Sequence, residues 1–517
     1  MKKMIALSWM LCAVALAARA GNRSAGNTRT VTGAFTTVYR PDDGSSTTLS
    51  TPPPFRQTAA ALLVPDQSQT GYTEFPITLG KDNTFIVEGV PTGSYFLQLD
   101  TTSYGPPFPT IFSSLTELTT DSPDLSIVNA GRPDLARVTT RTPVTLEITN
   151  MQPWQPDNIF IISSSQGDAY VRPLQARLTP LPNPGDTSYT GMFDWGPAST
   201  SQNVAGLPDG ARDDVVFFNQ RSTVPIGEGD SAAELRYASR YARLTDLTVI
   251  DSKPSTLSAS LIETALTGSI RADVRGSEFA ALAPEVNPTA RPTQQSFGNL
   301  SISIQAVPHS VEYPDRPAGA ASSIFYFQSL TPTSTDFDYG TFNYPQFHDP
   351  LWTEYRQLLY CFDVTVRVPG TKEPIELRCG ANVFSAVPMS PSPEDPIAPV
   401  LGPPAKPLIN GEDAFVPQAG VGLQPVISWS PPDLGTATSY LVAIGSVSLP
   451  EEGQRFPTAR VYSGTSFQVP PGFLRPGRHY IALISAVRAD FDVLDRPIYR
   501  SGTPQYQTDC VIGVFSP

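Results

Sequence analysis

The sequence predicts an all-β protein: several Ig-like β-sandwich domains in tandem, with a proline-rich linker before the last. Three observations carry this. Fifty-four prolines and a charged fraction of only 16% disfavour helix as the main element. Threonine, valine, serine and aromatic residues fill the stretches between prolines, as short strands joined by turns require. Apolar residues alternate at period two rather than recurring every three or four. At 517 residues the chain exceeds what one core can organise, so three or four domains are expected.

The first twenty residues have the form of a bacterial export signal. Lys2 and Lys3 precede an apolar run from Met4 through Ala18, and Ala18-Arg19-Ala20 is a small-x-small cleavage pattern. The run is too short to span a bilayer, and no later stretch is long enough, so no transmembrane segment is expected. The mature chain is expected to begin at Gly21. A lipid anchor on Cys12 is the alternative, but Trp9-Met10-Leu11 lacks the small residue that such a site places beside its cysteine. The net charge is −13, and loss of Lys2, Lys3 and Arg19 makes the mature chain more acidic still. That balance argues against nucleic-acid or anionic-membrane partners, which reward clustered Lys and Arg.

A first β-sandwich is expected over 28–128. Thr30–Tyr39 and Ala59–Val64 read as strands, and Phe85 with Val87, then Tyr95, Leu97 and Leu99, alternate on either side of a Gly89–Gly93 turn. Val90-Pro91, Gly93, Tyr95, Leu97 and Leu99, with Val31-Thr32-Gly33 as the opening strand, resemble the transthyretin-like or carboxypeptidase-regulatory-like family. The interval between the two halves is longer than that family's usual spacing. The resemblance implies a β-sandwich and assigns no chemistry.

A second sandwich, of no evident family, is expected over 140–265, from strands at 144–148, 159–163, 215–218, 244–250 and 257–261. Residues 231–243 fit a short helix or a strand edge equally. A third β unit is expected over 266–387. Leu266-Thr267-Gly268 echoes Val31-Thr32-Gly33 at its start, and a hairpin around Pro369-Gly370 closes it. Cys361 and Cys379 flank that hairpin and are the candidate disulfide of an exported chain. Strand periodicity puts the two on opposite faces unless a bulge shifts the register. Cys510 has no assigned partner.

Residues 388–405 are proline-rich and predict an extended spacer. Beyond it, over 406–517, Val426-Ile427-Ser428-Trp429-Ser430-Pro431-Pro432, the Ser439–Ile444 strand and Leu474-Arg475-Pro476-Gly477-Arg478-His479-Tyr480 resemble a fibronectin type III domain. The resemblance implies that Trp429, Leu474, Pro476 and Tyr480 are structural. Trp429 would fill the core, and the Tyr480 hydroxyl would donate back to the backbone near Leu474.

No motif for nucleophilic catalysis, nucleotide binding or zinc binding occurs. The three histidines, His309, His348 and His479, lack ligand spacing, so neither a metal nor a cofactor is expected. His348-Asp349 has the composition of a base and its orienter, but adjacent strand residues face opposite ways. Asp213-Asp214, Asp336-x-Asp338 and Asp490-x-Asp492 with Asp495 read as solvated loop charge. Aromatic residues concentrate between 325 and 360. Phe337, Tyr339, Phe342, Tyr344 and Trp352 are the candidate ligand-facing rings, weighed against the alternative that they are core. Together these features point to an exported, non-enzymatic interaction or scaffold protein, extracellular, outer-surface or periplasmic, whose partner is a protein or polysaccharide. A polysaccharide-binding accessory protein or a glycan hydrolase is the alternative.

Overall fold

Nearly all of the regular secondary structure among the described residues is strand, as the period-two alternation requires. Thr142–Thr149, for example, buries every second residue. The computed structural model describes residues 27–40, 45–50, 57–66, 71–103, 110–136, 138, 142–164, 166, 178–195, 206–228, 232–293, 299–307, 322–331, 333–350, 352–370, 374–389, 396–447, 455–489 and 505–517. The expected signal segment and Asp490, Asp492 and Asp495 lie outside this set. Helix among the described residues is confined to Gly276–Ala281, Ala283–Val286 and one 3-10 turn, Gly210–Arg212. No helix among them is long and apolar enough to cross a membrane.

In the N-terminal region Thr28–Arg40 pairs antiparallel with Thr84–Pro91 and parallel with Asp124–Ala130. A second layer joins Gln57–Pro65 to Tyr72–Pro76 and Tyr95–Ser103, and Tyr95–Ser103 to Thr110–Leu118. Val31, Phe35 and Phe85 of the first layer meet Leu62, Tyr95 and Leu97 of the second in one core. The next region opposes Thr142–Thr149, Tyr189–Trp195 and Ser255–Ser260 to Ile159–Ser164 and Val216–Ile226 around Trp154, Phe160, Trp195 and Phe218. Residues Ala233–Leu244 form a strand, because partners sit on both sides of them: Val216–Ile226 and Ser322–Ser329. The strand expected at 244–250 ends at Leu244. The chain bends there, although Leu247 and Val249 are still buried.

Sheet pairing crosses every expected domain boundary. Ala233–Leu244 pairs with Ser322–Ser329 across residue 265. Pro374–Pro388 pairs with Gln505–Val511 across the linker. Thr110–Leu118 runs parallel to Arg455–Val461, so the first region is stitched to the last. One core accordingly mixes Ala61, Leu63, Phe96 and Leu115 with Trp429, Phe467 and Tyr480. Buried polar groups clamp this seam. The Glu117 carboxylate accepts from the backbone N–H of Tyr462 (2.7 Å) and Ser463 (2.9 Å) and from the Ser463 hydroxyl. Buried Asp100 meets Arg455 at 3.2 Å and accepts from Ser113 at 2.7 Å.

The proline-rich stretch corrects the spacer expectation where it is described. Ile397 is buried, and its N–H and carbonyl bond to the backbone of Asp273 (2.7 Å) and Arg275 (2.9 Å). Buried Leu401 accepts from the Thr508 hydroxyl at 2.7 Å. Proline lacks a donor, but it does not prevent its neighbours from docking on a sheet edge. Residues 390–395 lie outside the described set.

Candidate functional site

The candidate site grows from the turn between Phe337–Tyr344 and Thr353–Arg367. Prolines 345 and 350 hold this segment out of the ladder, so its side chains turn inward individually. Phe347 stacks on Tyr241 (centroids 4.7 Å apart) and on His348 (4.4 Å). His348 in turn stacks on Trp352 (4.4 Å), with Phe217 at 4.7 Å. His348 is half-buried by its surface as a whole, but neither ring nitrogen has a hydrogen-bond partner among the described residues. Burial pushes its pKa down to about 3, so the imidazole is neutral at physiological pH. Asp349 points elsewhere. Both its oxygens pair with Arg243, at 3.3 and 3.4 Å.

Beside this stack lies a recess of about 550 Å³, within the range of small-molecule sites. Its wall includes Thr267, Tyr344, Gln346, His348, Trp352 and Glu354. Glu354 Oε2 accepts from the Tyr344 hydroxyl at 2.7 Å and from Gln346 Nε2 at 2.8 Å. Gln346 Oε1 is itself held by the Thr267 hydroxyl at 3.0 Å. Desolvation, with the bond to Glu354 and its charge, raises the Tyr344 pKa well above the phenol range, so Tyr344 remains a donor. Two acidic residues, Asp349 and Glu354, and no Lys or Arg line the described wall. A carboxylate is thus oriented by neutral donors toward a cavity without a cation in its wall.

The expected ring platform is corrected. Phe337, Tyr339 and Phe342 are half-buried and turn onto the core, with Tyr339 at 5.1 Å from Phe327 and Phe342 at 5.9 Å. The odd spacing between Tyr339 and Phe342 still shares a face because Gly340, at φ 79°, sits in a bulge opposite Arg271–Asp273. Tyr344 and Trp352 are buried. They form the wall of the recess rather than an exposed stacking surface.

Other expected residues lie apart from it. Trp429 is buried against Tyr440 at 5.2 Å, Leu474 is buried, and Pro476 is exposed. The Tyr480 hydroxyl accepts from the Arg475 N–H at 2.9 Å, where a donated bond was expected. His479 is half-buried. Cys361 is disulfide-bonded and Cys510 is a buried free thiol. The side chain of Cys379 lies outside the described set, but the bulge that its pairing requires is present, with the register shifting between Phe362 and Val364. Asp214 is not solvated. It is buried and paired with Arg132 at 3.1 Å. Asp338 holds Arg271 at 2.7 Å, and Asp336 accepts from the Ser277 hydroxyl at 2.6 Å. Sequence reasoning missed Thr267, Gln346 and Glu354. Polar residues at i+2 from Tyr344 and Trp352 were the available signal.

No protein-family model matches the chain, and no curated protein matches it. Among solved structures, a crystal structure of a tetra-tandem repeat in the extending region of a large adhesion protein is returned at 9% identity, covering 93% of this chain and 99% of that one. Its TM-score is 0.13, a likeness too slight to bear on fold or role.

Proposed function

We propose that this chain is an exported, non-enzymatic interaction protein of the cell surface, which holds a small ligand group in the recess beside Glu354. The observation that carries the reading is the state of the recess's titratable groups. Glu354 is oriented by Tyr344 and Gln346, Asp349 is neutralised by Arg243, and His348 is stacked and neutral. General acid–base work needs a proton carrier poised near the operating pH, whereas an oriented carboxylate in the wall of a cavity suits recognition. The signal pattern of residues 1–20 supports export. The C-terminal region reads as a fibronectin type III module. The buried Trp429 and the Tyr480–Arg475 bond support that reading, and it is structural in role.

Fractionation of producing cells, with N-terminal sequencing, tests the export and surface reading. The expected result is a chain beginning at Gly21, in the surface or secreted fraction. A full-length chain retained in the cytosol would overturn it.

A further inference from the structure

We infer that Asn410-Gly411 is a self-modification site, where the folded chain slowly converts its own asparagine to aspartate and isoaspartate and so releases the Val421 segment. It is the single Asn-Gly pair in the sequence. Both residues are exposed and left-handed, at φ 51° and 89°, in the two-residue turn that joins Ala405–Ile409 to Glu412–Asp413. A Cβ on Gly411 would meet nothing within 4 Å, so the turn is open to water. The Gly411 nitrogen attacks Cγ of Asn410, the Cγ–Nδ2 bond breaks, and ammonia leaves with the proton that Gly411 gives up. Water then opens the cyclic imide at either of its carbonyls, giving aspartate or isoaspartate. The chain and water supply every atom, and nothing is oxidised or reduced. The side chain that reacts is also a tie. Asn410 Nδ2 donates to the Val421 carbonyl at 2.9 Å, and Oδ1 accepts from the Val426 N–H at 2.9 Å. Attack on Cγ waits for these bonds to open, so the folded chain reacts more slowly than the unfolded one. Conversion replaces the Nδ2 donor with a carboxylate oxygen, which sets two acceptors face to face at Val421. Isoaspartate also adds a carbon to the main chain, which a two-residue turn does not accommodate. Val421 belongs to a segment docked on Phe515–Ser516. Its N–H donates to the Ser516 carbonyl at 3.1 Å, the Gln418 N–H donates to Val514 at 3.0 Å, and Gln418–Ala419 runs parallel to Phe515–Ser516. Loss of the Asn410 tie loosens that docking.

The test incubates the full mature chain at pH 8 and 37 °C, native and in urea, with peptide mass mapping and an isoaspartate methylation assay over several weeks. Asn410 is expected to exchange its amide for a carboxyl in both samples, more slowly in the native one, with isoaspartate among the products. Two other asparagines serve as internal references. Asn150 is also left-handed, at φ 57°, and its Nδ2 also donates to a backbone carbonyl, that of Leu261, but Met151 follows it. Asn287 is followed by Pro288, which has no N–H to give up. Both should stay unconverted in the native sample. Hydrogen exchange on Asn410→Asp, which carries the product side chain from the start, should quicken at the Gln418 and Val421 amides and stay unchanged across Thr142–Thr149. A native sample that keeps Asn410 intact while urea exhausts it would show that the fold locks the side chain, and would overturn the site. Native conversion of Asn150 at the same pace would mean general ageing and overturn it equally. Gln418 and Val421 amides that exchange in Asn410→Asp as in the wild type would overturn the release.

Discussion

His348 shows how a single side chain turns packing into a pH response. Its folded pKa, near 3, lies below the ordinary value of 6.5, so the folded chain binds fewer protons than the unfolded chain between those limits. The stability tied to this group is fully present above about pH 6.5 and is lost as pH falls toward 3, at up to about 1.4 kcal/mol per pH unit. Buried Asp509 acts in the opposite sense. Desolvation raises its pKa against bonds from Ser485, Gln507 and Asn382, so its contribution is lost as pH rises through the folded value. Chemical denaturation of the wild type and His348→Phe from pH 3 to 8 separates the two. The wild type should gain stability relative to the variant up to about pH 6.5 and hold a constant difference above it. A difference flat across the whole range would show that His348 titrates normally. At this scale the sequence was partly legible. The echo of Thr32-Gly33 in Thr267-Gly268 has a physical cause. A Cβ on Gly33 would lie 2.5 Å from the Phe85 ring, and one on Gly268 would lie 2.4 Å from the Tyr344 ring. Each glycine lies directly opposite that aromatic in the sheet, and the ring covers the space a side chain would fill.

Between elements, the seam of Thr110–Leu118 and Arg455–Val461 depends on buried carboxylates as well as on its ladder. Glu117 is the sharpest case, since three donors from Tyr462 and Ser463 converge on one side chain. Glu117→Ala should destabilise the full chain by about 3 kcal/mol or more, because it leaves those donors without an acceptor. Hydrogen exchange should quicken at the Tyr462 and Ser463 amides and stay unchanged across Thr142–Thr149. Equal acceleration at both places would mean global loosening and no local clamp. Nothing in the sequence announced this seam. Period-two alternation reports which face of a strand is buried and is silent on which strand lies alongside. For the same reason Ala233–Leu244, with apolar residues at no clear period, became definite only through its two neighbours. The recess eluded sequence reasoning because Thr267 and Gln346 meet across 79 residues.

For the molecule as a whole, those cross-boundary pairings join what composition had separated. A chain cleaved between Met389 and Pro396, through an inserted protease site, should keep its two pieces together on native gel filtration. Pro374–Pro388 with Gln505–Val511 and Thr110–Leu118 with Arg455–Val461 hold the pieces by backbone bonds. Separation into two species without denaturant would restore the picture of beads on a string. Proline content misled here because it reports the cost of helix and the loss of one donor per residue, and neither quantity measures burial. Ile397 and Leu401, two of the apolar residues among those prolines, are buried and were the visible counter-signal.

The same seam has a mechanical meaning. A pull applied through the N-terminal sheets and the last strands would pass from Thr110–Leu118 directly into Arg455–Val461, bypassing everything strung between them. The intervening chain, roughly 340 residues with a contour of about 1,100 Å at full extension, would carry no tension while the seam holds. Parallel strands drawn in opposite directions are sheared along their length, so their bonds share the force instead of unzipping one at a time. Rupture would then be a single event that releases a long hidden length.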